Sequence, residues 1–411
     1  MSNIYTHLMG KTNKQIDQAP EDSGHKLNIW KYSVDIPILQ GWMGVGISTA
    51  ELAGNVALQW GIGTLSATGL EKTPYYRELL NKNIKEAKKN ARSTENPQWR
   101  LSQEEINKYL IKTQTECIKD QVKKAKEIAQ GNWAIFINIM VATSHYKEQV
   151  LAACEAGVDG IVSWAWLPKY LPEITKEYPD IAIIPILSNA KGVNVLLKQR
   201  EASGRLPDAI IVEDPSTAWG HLGAANIEKT QDEQGKLEVA IPAVLELLKS
   251  KGIHIPVIWA GGIIDKEDME KVLALWASGV QVGTRFLASK ESGANDEFKN
   301  AIVQATKDSI ITYMSSAWLP ARALKESWIF AKMENVEVKT RECIENCLLH
   351  CWFRDGNANL AQMCIKKELV KSTAGWRWDG LFFTWTSAAR INTLLSVEEI
   401  MNIFKGDTQK K

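Results

Sequence analysis

The stretch IPVIWAGGIIDKEDMEKVLALWASGVQVGTRF, residues 255–286, decides the fold class. It begins with a short apolar run, continues through a charged segment with helical patterning, and ends in a second apolar run. Continuous apolar runs are typical of strands covered on both faces, and a helix between two such strands makes them parallel. The stretch therefore predicts a strand, a helix and a second, parallel strand.

The same alternation recurs along the chain. Eight apolar runs are candidate strands, at residues 35–41, 61–67, 134–142, 159–165, 181–188, 208–214, 255–262 and 279–286. Eight β/α units predict an α/β fold, a closed TIM-type (β/α)8 barrel, whose chemistry lies on the loops after the carboxyl ends of the strands.

Three regions fall outside this repeat, and the barrel itself is predicted to span residues 30–290. Residues 1–29 form an N-terminal segment. Residues 68–130 are rich in Lys and Glu with helical patterning, which predicts a helical insertion after the second strand. Residues 291–411 form a C-terminal extension that we expect to be mostly helical.

Charge and hydropathy limit the classes of partner. The 411 residues include 49 Lys and Arg against 48 Asp and Glu, which argues against nucleic acid or an anionic membrane surface as a partner. The chain has no run of ~18 apolar residues and no signal-peptide core, so we expect a cytoplasmic protein with no membrane partner. A homo-oligomer is compatible with the sequence, which does not set the oligomeric state.

Glycines follow the last two predicted strands, in AGGI at 260–263 and in VGTRF at 282–286. In barrels of this type those loops often bind a phosphate, most often that of FMN, because glycine lets backbone N–H groups approach the oxygens. Asn138 lies in an apolar strand and needs a partner, either a neighbouring backbone group or the polar edge of a flavin. Gln40, at the end of the first strand, raises the same two alternatives.

His221, in the segment VEDPSTAWGHLGA at 212–224, is the candidate catalytic residue. It follows the sixth predicted strand, so its side chain is expected at the mouth of the barrel. A neutral imidazole there can abstract a proton or orient an anionic substrate. His145 could also lie near the mouth, but its surroundings are typical of a helix N-cap.

Four of the six cysteines, Cys343, Cys347, Cys351 and Cys364, are clustered. The gaps of three residues predict that the first three thiols share one helical face. A buried packing surface is then as good an interpretation as a zinc or iron–sulfur site, and we assign no metal.

Taken in order, these segments resemble the nitronate monooxygenase family, whose relatives include flavin-dependent enoyl reductases. The matching stretches, spread over residues 30–390, are PILQGWMGVGIST, GIGTLSA, NIMVA, EAGVDGIVS, IPILSNAKG, VEDPSTAWGHLGA, AGGI, GVQVGTRFLAS and GLFFTWTSAARI. The resemblance implies an FMN-binding barrel and a set of residues around the cofactor. By that similarity Gln40, Gly41, Met43 and Asn138 line the flavin, Ala260, Gly261, Gly262, Gly283 and Thr284 hold the phosphate, Asp214 and Ala218 lie nearby, and His221 is the active-site histidine.

The family's reaction oxidises an alkyl nitronate, or the parent nitroalkane, with O2 to a carbonyl compound and nitrite. The enoyl-reductase relatives share the glycine and histidine segments, so an NAD(P)H-dependent reductase of an enoyl thioester or a quinone stays open. A barrel without a cofactor, acting as a binding protein, is the non-enzymatic alternative.

Tryptophan is in excess, with 16 Trp against 8 Phe and 9 Tyr. In the family, glycine is typical at many of these positions, and indoles there are hard to accommodate. Some bacteria read the codon UGA as glycine, and decoding such a gene with UGA as tryptophan gives this pattern. The alternative is a divergent, Trp-rich enzyme. The positions are Trp42, Trp60, Trp164, Trp166, Trp219, Trp276, Trp318 and Trp385.

Overall fold

Eight parallel strands form a barrel in the computed structural model of the chain. From the second strand to the eighth, each barrel strand pairs with the next, the eighth pairs with the first, and a bridge between Leu39 and Ile62 joins the first strand to the second. The barrel strands are β3 (Ile38–Gln40), β4 (Gly63–Ser66), β5 (Ile135–Met140), β6 (Gly160–Trp164), β7 (Ala182–Leu187), β8 (Ile210–Glu213), β10 (Val257–Ala260) and β11 (Gly279–Val282). All eight predicted strands are confirmed.

The structure describes residues 26–93, 101–131, 134–218, 220–221, 223–315, 319–327, 330, 343, 345–355, 364–374 and 380–407. Of His221 it describes the backbone only, and Trp219 and Trp318 lie outside the described residues. Within the described residues no helix is long and apolar enough to cross a membrane.

Helices between the strands cover the outer face of the barrel. The strands are buried on both faces, as their continuous apolar sequences require. The helices between strands are α1 (Ala50–Leu58), α4 (Tyr146–Glu155), α5 (Leu171–Ile174), α6 (Ala190–Ser203), α7 (Leu237–Ser250) and α8 (Lys266–Leu273).

Two long helices lie between β4 and β5, α2 (Arg77–Ser93) and α3 (Gln103–Ile128). A capping box between Ser102 and Glu105 begins α3. Helix α3 approaches α1 closely at Gly54, where an added Cβ would lie 2.6 Å from Cβ of Ile128. The segment is thereby packed onto the barrel wall.

The chain after the barrel contains both helices and a β-hairpin. The helices are α9 (Thr284–Leu287), α10 (Asp296–Val303), α11 (Trp352–Asp355), α12 (Ile365–Ala374) and α13 (Val397–Lys405). Strands β12 (Ile310–Met314) and β13 (Pro320–Leu324) form the hairpin, and β13 also pairs with β9 (Gly220–His221). A separate hairpin, β1 (Leu27–Ile29) and β2 (Tyr32–Val34), precedes the barrel.

Candidate active site

A narrow cleft lies at the carboxyl ends of the last three strands. Glu213, Ala260 and Gln281 are lateral neighbours on β8, β10 and β11, and all three line it. The cleft has a volume of about 10 Å³, which is about what one water molecule needs.

Backbone turns bring the predicted phosphate residues to this cleft. Gly261 and Gly262 have φ of 124° and 77°, conformations that favour glycine. A Cβ on Gly261 would lie 2.4 Å from Oγ1 of Thr217, whereas Gly262 faces open space. A Cβ on Gly41 would lie 2.9 Å from Cα of Gly283, so the loops after the first and last strands touch through their backbones.

Several buried polar groups on the barrel strands and directly after β11 have no hydrogen-bond partner among the described residues. Asn138 is fully buried, and neither of its amide atoms is bonded. Four more unbonded atoms on or next to these strands are Oγ1 of Thr64, Oγ of Ser66, Nε2 of Gln281 and Oγ1 of Thr284, and others, such as Nη1 of Arg200 and Oη of Tyr313, lie outside the barrel strands. An unmet buried polar group costs ~1–3 kcal/mol, so a polar ligand that reached Asn138 and Gln281 would offset that cost.

Other predicted ligand residues already have internal partners. The Gln40 amide donates to Oγ of Ser48 and accepts from the backbone N–H of Thr64. The Asp214 carboxylate accepts from the backbone N–H of Ser216 and from the hydroxyls of Ser216 and Thr217. Met43 and Ala218 are fully buried. These four residues fix the loops around the cleft.

The backbone of His221 is held by the C-terminal hairpin. His221 pairs with Ala321, and Gly220 pairs with Arg322, whose guanidinium lies under the same loop. Nη1 of Arg322 donates to the carbonyl of Ala218 and Nη2 to that of Ser216, at 2.5 and 2.9 Å. A residue over a hundred positions away thus places the predicted catalytic loop, and no sequence signal identifies it.

Glu213 is a titratable group that sequence reasoning missed. Burial, and to a smaller extent the neighbouring Asp214, raises the pKa of Glu213 to about 8, while Arg322 acts to lower it. Such a carboxyl group is protonated at neutral pH and can donate a hydrogen bond into the cleft. Its position at the end of a predicted strand was the available signal.

We expect Glu213→Gln to change how stability depends on pH. The folded-state pKa lies above the ordinary value of 4.5, so this carboxyl group's contribution to stability is complete below about pH 4.5 and is lost as the pH rises through about 8. The amide cannot ionise, so the variant should gain free energy of unfolding relative to the wild type across that window. Urea unfolding at several pH values measures this. A difference that stays constant with pH contradicts the assignment, and Glu246→Gln, on the exposed face of α7, controls for loss of a carboxylate.

A larger cavity of about 110 Å³ opens beside the mouth. Its walls are mostly apolar and include Met140, Leu348 and Leu369. His145 also lines this cavity. His145 occupies the predicted N-cap position of α4, but its side chain makes no capping hydrogen bond and its Nδ1 instead lies 3.1 Å from Oε1 of Gln114. Burial lowers the pKa of His145, so the ring is neutral near pH 7.

The clustered cysteines border this cavity and lie mostly in segments without regular secondary structure. The prediction that Cys343, Cys347 and Cys351 share one helical face is wrong, because the described residues between 343 and 351 form no helix and Leu348 instead bridges to Thr143. Cys347, Cys351 and Cys364 line the cavity, and all six cysteines are free thiols. Burial raises the pKa of Cys347 to about 12, so this thiol is uncharged.

Three tryptophan side chains occupy the mouth. Trp42 lines both the cleft and the larger cavity, and its ring lies 4.3 Å from that of Trp164. The Trp385 ring lies against Gly283, where an added Cβ would be 2.0 Å from Cη2. The two spaces are therefore separated by indole groups.

Comparisons with known proteins place the chain in a family. The family model described as nitronate monooxygenase matches residues 26–405. A probable nitronate monooxygenase of Bacillus subtilis is 30% identical over 324 residues, which is 76% of this chain and 82% of that one. One from Staphylococcus aureus is 25% identical, over 72% of this chain and 77% of its own.

Two solved structures share the fold. FabK from Thermotoga maritima has a TM-score of 0.62 at 21% identity, covering 92% of this chain and 95% of its own. A nitroalkane oxidase from Streptomyces ansochromogenes has a TM-score of 0.61 at 16% identity, covering 91% and 95%. With the family match over nearly all of its length, the chain belongs to the nitronate monooxygenase family of flavin-dependent oxidoreductases.

Proposed function

We propose that this protein uses FMN and O2 to oxidise alkyl nitronates to a carbonyl compound and nitrite. The observation that carries the proposal is the set of unbonded polar groups buried in the barrel and beside its last strand, headed by Asn138. Together with family membership, this set supports a resident polar cofactor. In the overall conversion two nitronates and one O2 give two carbonyl compounds and two nitrite ions: each nitronate carbon gains one of the two oxygen atoms, and its C–N bond breaks to release nitrite.

The fit of FMN to these residues is good in one respect and poor in another. Asn138, Gln281 and Thr284 offer buried donors and acceptors of the kind that a flavin ring and a phosphate need, and Gly262 leaves its backbone open. Against this, the indoles of Trp42 and Trp385 wall the narrow cleft that Gln281 lines, and Trp385 lies against Gly283. The proposal therefore concerns a form of the barrel in which the indoles of Trp42 and Trp385 do not wall that cleft.

The residue roles proposed here combine the family resemblance with the backbone positions described above. FMN, when bound, supplies the electron acceptor that O2 reoxidises. The backbone at Gly261 and Gly262 is suited to hold a phosphate, and Asn138 to orient the ring. His221 abstracts the α-proton of a nitroalkane or binds the nitronate anion. Arg322 is a positioning residue, because it acts through the loop that carries His221.

The larger cavity supports an alkyl substituent on the substrate. Its apolar walls at Met140, Leu348 and Leu369 suit a hydrocarbon chain, and burying each CH₂ is worth ~0.8 kcal/mol. We therefore expect kcat/KM to rise with alkyl length until the cavity is filled. A series of primary nitronates of increasing length measures this, and kcat/KM values independent of length contradict it.

The catalytic role of His221 can be tested through product formation. In the chain carrying Trp42→Gly, Trp164→Gly and Trp385→Gly, we expect His221→Ala to reduce the rate of nitrite and carbonyl release by ~10²–10⁴-fold, the usual contribution of a positioned acid or base. If the imidazole only removes the α-proton, a preformed nitronate should restore the rate, whereas a nitroalkane should not. His254→Ala is the control, because His254 is exposed and precedes the amino end of β10, at the opposite end of that strand from the cleft. Full turnover by His221→Ala with both substrates contradicts the assignment.

A further inference from the structure

Four tryptophans adopt backbone conformations that favour glycine. Eight non-glycine residues in the described part of the chain have positive φ, and half of them are Trp30, Trp60, Trp166 and Trp276, at 55°, 74°, 154° and 68°. For a bulky residue this region is an outlier, because Cβ crowds the backbone. The indoles are also 42%, 43%, 50% and 73% exposed, so burial does not offset the strain.

Trp60 occupies a helix-ending position that is specific for glycine. After α1, the N–H of Trp60 donates to the carbonyl of Ala57, and that of Gly61 donates to the carbonyl of Val56. These are the two bonds of a Schellman motif, whose left-handed residue is usually glycine. Trp60 is that residue, with φ of 74°.

Two further positions repeat the pattern in other turns. Trp276 follows α8, and its N–H donates to the carbonyl of Leu273 at 2.9 Å. Trp30 is the first residue of the two-residue loop between β1 and β2, where the favoured hairpin turns need positive φ. The loop at Trp30 has no part in the barrel mouth. Its positive φ is therefore evidence for glycine at position 30 that does not depend on the proposed function.

The tryptophans at the mouth separate two parts of one space. The cleft of about 10 Å³ and the cavity of about 110 Å³ share Trp42 as a wall. Trp164 stacks on Trp42 within the larger cavity, and Trp385 covers Gly283 at the cleft. Ligand pockets typically measure ~300–1,000 Å³, so neither space alone suits a cofactor. Glycine at positions 42, 164 and 385 would join the cleft and the larger cavity and uncover the unbonded polar groups.

We propose that the protein made in its own cell carries glycine at positions 30, 42, 60, 164, 166, 276 and 385, and that the cofactor and substrate site is one continuous cavity only in that form. If one codon is read as glycine in that cell and as tryptophan elsewhere, tryptophan would replace glycine both at the strained turns and at the closed mouth. A single change of decoding would then explain both observations. The part concerning the mouth rests on the proposed function, whereas the part concerning the turns does not.

The turns can be tested by stability alone. Trp60→Gly and Trp276→Gly should each raise Tm by about 2–4 °C, because relief of ~1 kcal/mol of left-handed strain shifts Tm by that amount in a large domain. Ala274→Gly, at an exposed position beside Trp276 with φ of −63°, is the matched control and should lower Tm. Glycine variants at 60 and 276 that lower Tm as much as Ala274→Gly overturn the proposal for the turns.

The residue identities can be read directly from peptides of the protein isolated from its native cell. Glycine at the seven positions supports the proposal, and tryptophan at 42, 60 or 276 overturns it. In parallel, FMN is titrated onto the chain as written and onto Trp42→Gly/Trp164→Gly/Trp385→Gly, with binding followed by quenching of flavin fluorescence and by the rise in Tm. Saturable FMN binding by the glycine chain only supports the opened site. Equal binding by both chains, or no binding by a folded glycine chain, overturns that part. FMN binding without nitronate oxidation refutes the proposed function alone.

Discussion

Replacing Arg322 with alanine should cost both stability and turnover. The guanidinium is 3% exposed and donates to the carbonyls of Ala218 and Ser216, which lead into the loop carrying His221. Each buried acceptor left unbonded costs ~1–3 kcal/mol, so we expect the free energy of unfolding to fall by roughly 2–5 kcal/mol. With the loop released, kcat should fall by ~10²-fold, the lower end of what a positioned acid or base supplies.

Stability and positioning can be separated at Arg322. Turnover is measured in the flavin-loaded chain with Trp42→Gly, Trp164→Gly and Trp385→Gly, at a temperature where the variant is fully folded, as shown by circular dichroism. Arg322→Lys keeps the charge and can reach one carbonyl, so it should restore part of kcat. Arg390→Ala removes a more exposed guanidinium paired with Asp265 and Asp268, and is expected to cost no more than ~1 kcal/mol. An unchanged kcat in folded Arg322→Ala would contradict the positioning role.

Replacing Lys366 with methionine should destabilise the fold even more. Its ammonium group pairs with the carboxylate of Glu71, which is fully buried, and with that of Glu345 at 3.3 Å. Although burial raises the pKa of Glu71, the charge of Lys366 brings it below its ordinary value, so the carboxylate stays ionised. Removing one partner of a buried pair costs ~3–5 kcal/mol, because the other charge is left uncompensated.

A double variant isolates this charge effect. Lys366→Met combined with Glu71→Gln leaves no buried charge at position 71, so it should recover most of the stability lost by Lys366→Met. Lys367→Met changes the exposed neighbour on α12 and should have little effect. The measurement is the free energy of unfolding by urea. A double variant less stable than Lys366→Met would contradict the assignment of a buried ion pair.

The barrel was predictable because each strand is a local pattern. An apolar run such as residues 255–262 must be covered on both faces, and a charged amphipathic segment beside it can only be the covering helix. The glycines at 261 and 262 could be placed for the same reason, since they follow directly from the end of β10.

What the sequence could not predict depends on contacts between distant segments. Arg322 reaches the loop of His221 only because β13 pairs with β9, a contact that has no periodic signal. Glu213 could have been suspected from its place at the end of β8, but its raised pKa depends on how deeply the barrel buries it. The spacing of Cys343, Cys347 and Cys351 suggested a helix. Leu348 instead pairs with Thr143, a contact between distant segments that the sequence did not show.

The most direct test of the proposed activity is an anaerobic titration of the flavin-loaded chain with glycine at positions 42, 164 and 385. A nitronate is added to one sample and NADH to another, and the visible absorbance of the flavin is followed. We expect the nitronate to bleach the flavin, NADH to leave it unchanged, and air to restore the colour as nitrite appears. Bleaching by NADH with no response to nitronates would contradict nitronate oxidation and assign the barrel to a nicotinamide-dependent reductase.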